Sequence, residues 1–144
     1  MKARKHALQM SYEEKAHCKN KAIKAATHLV VAQHAIDRYT DKHLYVNPGK
    51  IKWLVKHGEV IEYEQVVKAP YIMHVGMEHI PVEVPKHTTE RIVMRAPYDD
   101  TYDISIVLDV TNNTVVTLWL NTVEDQHHTL NLSLYDSTME IPLN

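Results

Sequence analysis

The chain has 144 residues, 44% of them hydrophobic and 24% charged, which supports one folded core and excludes a disordered chain or a fibrous repeat. Sixteen Lys and Arg against eighteen Asp and Glu leave a net charge of −2, so a basic coat that binds DNA indiscriminately is excluded. Cys18, the one cysteine, rules out an internal disulfide framework and a thiolate zinc cage.

Charge is uneven along the chain. Residues 1–28 carry seven basic groups against Glu13 and Glu14, a local net of +5, so the remainder carries −7. This segment reads as a basic helical arm, the one separable part of a single domain, and Lys15, Lys19, Lys21 and Lys24 on it are candidate contacts for RNA or ribosomal phosphates. A solvated helix face has the same composition. Ser11 followed by Glu14 has capping-box spacing and predicts a helix over 12–28. After a β-branched knot at Leu29, Val30 and Val31, residues 33–39 read as a second short helix. Asn47 as N-cap, Pro48 at the first helical position and Gly58 past the end mark the clearest helix.

From Glu59 the pattern changes to period two. Strands are expected over 59–67, 71–75 and 91–96, with 77–90 a proline-broken loop. The best hairpin joins 102–110 to 115–121, because Asn112 and Asn113 tolerate the positive φ of a tight turn. Leu130, Leu132 and Leu134 alternate as a last strand, and Trp53 and Trp119 are assigned to the core. Helices first, then mostly antiparallel strands, is an α+β order with helices packed on one sheet face.

Three glycines in no nucleotide-binding spacing disfavour nucleoside triphosphate chemistry, and no serine lies in a G-x-S-x-G elbow. Eleven histidines with no H-E-x-x-H pair leave metal binding without a ligand spacing, so no metal or cofactor is expected. Acid–base chemistry by histidine remains. Imidazole titrates near pH ~6.5, and metal-independent RNA cleavage needs a base for the 2′-OH, an acid for the leaving 5′-oxygen and a cation for the phosphorane. His34 and Arg38 stand one helical turn apart, where both can address one phosphate; a surface His beside an exposed Arg has the same spacing. Arg91 and Arg95 alternate with Ile92 and Met94, so both point to one sheet face and could clamp a phosphate, unless they lie on a solvated edge strand. His127 and His128 follow the last strong strand, and at most one of them faces a site.

The stretch Gln33-His34-Ala35-Ile36-Asp37-Arg38, the run from Leu54 to Tyr63 containing Gly58-Glu59-Val60-Ile61-Glu62, and the late hairpin with Val115-Val116-Thr117 resemble the small RelE-like toxin RNases, BrnT-type members among them, of the barnase, EndoU, colicin and RelE group. The first stretch also resembles the RegB-type phage early-mRNA endoribonucleases. The resemblance covers about residues 33–67 and 103–121. It implies a RelE-like α+β fold, with His34 catalytic, Arg38 its phosphate partner, Thr117 at the hydroxyl position and His57 as second proton carrier, while the place of His127 after the last strong strand makes it the other candidate for that role. A C-terminal helix histidine favoured by the helix dipole is the other reading of His57.

The expectation is therefore an endoribonuclease acting without metal on mRNA or other single-stranded RNA, through a 2′,3′-cyclic phosphate. The rival is a non-catalytic, phage-type binding protein or inhibitor that grips a host protein or RNA with the same surface. RNA, on the ribosome or free, is the expected partner, with a neutralising or host protein as another, and neither DNA nor membrane. The start lacks the apolar core of a signal peptide, and the expected location is the cytoplasm of a bacterium or phage-infected host.

Overall fold

A computed structural model describes residues 3–31, 47–124 and 132–143. Strand β1 (Ala3–His6) leads through a 3-10 turn into helix α1 (Tyr12–Thr27) and the two-residue strand β2 (Val30–Val31). Helix α2 (Pro48–His57) precedes β3 (Glu59–Lys68), β4 (Tyr71–Val75), β5 (Ile80–Val84), β6 (His87–Pro97), β7 (Tyr102–Asp109) and β8 (Thr114–Thr122). A 3-10 turn, Leu132–Leu134, stands where the leucine alternation predicts a strand, while Leu130 lies outside the described residues. No helix among the described residues is long and apolar enough to cross a membrane.

The fold is α+β. Among the described residues six strands pair in the order β1-β3-β6-β7-β8-β2, antiparallel except for β2 beside β8, and β4 pairs with β5 as a separate ribbon. Local signals act as the residues dictate. The Ser11 hydroxyl accepts the Glu14 N–H while the Glu14 carboxylate accepts the Ser11 N–H, closing the capping box. Asn47 Oδ1 accepts the Lys50 N–H at 2.8 Å, and Asn113 takes φ 54° in the β7–β8 turn.

Both helices lie on one sheet face. Tyr63, Ile92, Met94, Ile104, Ile106 and Leu108 alternate inward along β3, β6 and β7 to meet Ile51, Leu54 and Val55 of α2. From α1 come Cys18, Ala22 and Ala26, small enough to bring the helix backbone close. The basic segment is thus not a separable arm: its helix is part of the core, and β1 pairs with β3. A Cβ at Gly58 would stand 2.9 Å from the carbonyl oxygens of both Leu54 and Arg95, so only glycine lets the chain pass from α2 into β3 this close to β6.

Two further expectations change. Residues 77–90 contain β5 and the start of β6, because Gly76 at φ 77° and His79 at φ 52° form a tight turn before the first proline of the run, Pro81. Pro81 pairs opposite His74 in a ribbon with free outer edges, where a missing N–H is tolerated. The tryptophans are not core residues: Trp53 is 47% exposed on the outer side of α2, and Trp119 faces away from the helices beside Ser105.

Candidate functional site

The sheet face away from the helices is polar. Reading across the paired strands, one row runs Arg4, Glu64, Arg91, Asp109, alternating in charge. The next runs His6, Glu62, Val93, Val107, Thr117, and a third Glu59, Arg95, Ser105, Trp119. Neighbours in such rows have Cβ atoms about 5 Å apart, so each arginine is within reach of carboxylates on the strands beside it. β6 is a central strand, which settles that these arginines do not lie on a sheet edge.

The two arginines differ. Arg95 is engaged: its Nε donates to Asp103 Oδ2 at 2.9 Å and a terminal nitrogen donates to the Thr122 carbonyl at 3.1 Å. Next to it the Ser105 hydroxyl donates to Asn121 Oδ1 at 2.6 Å. Among the described residues Arg91 Nε is buried without a hydrogen-bond partner, and the same holds for Thr89 Oγ1 and Thr117 Oγ1 on this face. Asp109, the cross-strand neighbour of Arg91, spends its carboxylate on the Thr111 and Asn112 N–H groups of the following turn. A buried polar atom without a partner costs about 1–3 kcal/mol. A cation and two hydroxyls held this way on one surface are suited to an anionic ligand with several acceptor oxygens.

Arg91 and Arg95 share one sheet face, as strand alternation predicts, and Thr117 lies on that face two strands away. Helical geometry at ~100° per residue splits the lysines of α1, with Lys15 and Lys19 on one flank and Lys21 and Lys24 on the other. Lys15 and Lys24 are exposed, whereas Lys21 is drawn into an ion pair with Glu90, its Nζ 2.9 Å from Oε1. All four belong to the helix layer and do not share the polar sheet face. His57 lies on the helix layer as well, its ring packed at a tilt against Trp53 with centroids 4.4 Å apart on the outer side of α2, away from the sheet face of Arg91 and Thr117. It suits the dipole-favoured reading, as the last residue of its helix. His34, Arg38, His127 and His128 lie outside the described residues.

The helix side holds a second polar cluster. Glu90 accepts from Lys21 and from the Tyr63 hydroxyl, and Gln65 Nε2 donates to that hydroxyl at 3.2 Å. Burial raises the Glu90 carboxyl, but the Tyr63 and Lys21 donors outweigh it, so the group titrates below the ordinary carboxylate range. Burial and the Glu90 acceptor together push the Tyr63 phenol up, and burial pushes the Cys18 thiol up to about 12. Tyr63 and Cys18 stay protonated at neutral pH and are not nucleophiles. This cluster anchors α1 to the sheet.

A depressed carboxyl contributes stability that is full above its unfolded pKa and is lost as pH falls through its folded pKa. Glu90→Gln should therefore lower stability at pH 7 by about 1–2 kcal/mol, and the gap to the wild type should close at acid pH, once the folded carboxyl is protonated. Urea midpoints at neutral and acid pH check this, and a gap constant with pH would show that the carboxylate charge contributes nothing.

Sequence reasoning missed Glu64, Asp109 and Ser105. Period-two spacing places each on the strand face opposite the core, but only the strand order shows which of them adjoin Arg91 and Arg95. No protein family, curated protein or solved structure matches the chain.

Proposed function

We propose that this protein is a metal-independent endoribonuclease that draws single-stranded RNA across the polar sheet face. The observation that carries the reading is Arg91, a central-strand guanidinium whose buried Nε has no hydrogen-bond partner among the described residues, on the same sheet face as the Thr117 hydroxyl two strands away. A phosphodiester supplies the acceptor oxygens these donors lack, and a fixed guanidinium stabilises the extra negative charge of the phosphorane. The 2′-oxygen attacks phosphorus, the P–O5′ bond breaks, and a 2′,3′-cyclic phosphate and a 5′-hydroxyl result. A base takes the 2′-OH proton and an acid gives one to the departing 5′-oxygen, with His34 in one of these roles and Arg38 on the phosphate.

Trp119, 37% exposed on the same face, offers a ring on which an unpaired base can stack, which favours single-stranded over duplex RNA. Incubation of total RNA with the protein in excess EDTA tests the reading. Fragments ending in 2′,3′-cyclic phosphate are expected. RNA that stays intact at every pH between about 5 and 9 overturns the enzyme and leaves the face to a partner held without chemistry.

A further inference from the structure

The ribbon of β4 and β5 continues β3 and β6 beyond the six-stranded sheet. The register carries through the break, with Lys68 opposite His87 and Tyr71 opposite Val84, while Pro70 and Pro85 interrupt the ladder at its root. Every residue from Tyr71 to Glu83 is exposed. Alternation puts Tyr71, Met73 and Val75 on one face of the ribbon, opposite Val84, Val82 and Ile80. That face carries no charged group, and its middle rung is Met73 opposite Val82.

A lone two-stranded hairpin is marginal in water, and this one presents five exposed apolar side chains and the half-buried Val84 on one face, with Ile80 at 54% and Val75 at 47% exposure. Their joint exposed surface, on the order of 500 Å², is near the top of what a monomer shows as one patch. We propose that the face is covered by the same face of a second copy, two ribbons stacking about ~10 Å apart across a two-fold axis.

Three observations favour a second copy. A charge-free face is complementary to itself and needs no oppositely charged partner, and like-charge repulsion is absent when it meets its twin. Two such faces bury about 1,000 Å² in total, the lower bound for a specific interface, so the dimer is a reversible one. The route by which a strand from another protein would add is half closed, because Pro81 within β5 and Pro85 after it lack the N–H groups an added strand needs along that edge. Glu83 and His74 occupy the ribbon's other face and stay in water.

Sedimentation velocity over a concentration series tests the proposal. The wild type should shift from monomer to dimer between about 1 and 100 μM. Met73→Glu and Val82→Lys should each weaken association at least ~100-fold, because either puts like charges at the centre of the stack. Circular dichroism should be unchanged, since the ribbon lies outside the core. Mixing the two variants should restore a dimer, because carboxylate then meets ammonium. A wild type that stays monomeric throughout, or a dimer that survives both substitutions, overturns the proposal. Failure of the mixture to associate while each variant is monomeric also overturns it, since another part of the surface would then hold the copies together.

Discussion

Arg91→Ala is expected to cut RNA cleavage by ~10²–10³ while leaving the melting temperature unchanged or slightly raised. The two outcomes come from one cause. Arg91 Nε is buried with no hydrogen-bond partner among the described residues, so removing the side chain relieves an unsatisfied donor. A residue kept for stability would show the opposite sign. Arg91→Lys should not restore the rate, because an ammonium lacks the planar fork that engages two phosphate oxygens. The dependence of RNA affinity on salt should also flatten by about one counterion. Cleavage at the wild-type rate by Arg91→Ala, with stability lowered by several kcal/mol, would make Arg91 a packing residue of the sheet.

His34→Ala should cost ~10² or more in kcat/KM, and Arg38→Ala a similar amount, with little change in folding stability. The pH profile gives the sharper reading. A neutral base and a charged acid make kcat/KM bell-shaped, with limbs bracketing neutrality, and His34→Ala should remove one limb. The substitution that removes the other limb identifies the second proton carrier. His127 and His128 are the histidines to change first, and Glu64, opposite Arg91 across the strands, is the carboxylate. His57→Ala should leave both limbs in place, because its ring packs against Trp53 on the outer side of α2, away from the sheet face of Arg91. A rate flat from about pH 5 to 9, with chemistry limiting, would exclude histidine proton transfer.

Signals confined to a few residues were legible in the sequence. The capping box at Ser11, the Asn47-Pro48 helix start and the turn at Asn113 each depend on groups within four positions of one another, and each forms as read. The common face of Arg91 and Arg95 follows from strand alternation alone. What escaped depends on distant partners. Lys21 is indistinguishable in sequence from Lys15 or Lys24, and only the arrival of Glu90 from β6 turns it from a solvated charge into half of an ion pair. Trp53 reads as core by hydropathy, yet Ile51, Leu54 and Val55 fill the inward arc of α2 and leave the indole outside, flanked by Lys50 and His57. The proline-rich stretch after Met77 hides β5, because a proline forbids a strand only where its N–H is needed.

The first 31 residues supply both outermost strands of the six-stranded sheet, β1 at one end and β2 at the other, with α1 spanning the distance between them. During synthesis this stretch leaves the ribosome before the strands it pairs with: β1 has nothing to pair with until β3 has emerged, and β2 must wait for Thr114 and Val115. Its two strands thus find their places at different times, β1 once β3 is out and β2 only with β8. Until then, β3 and β8 expose unpaired backbone that other nascent chains can join. Folding of this protein should be slow for its size, governed by the long loops that must close, and sensitive to anything that delays release of residues 114–122.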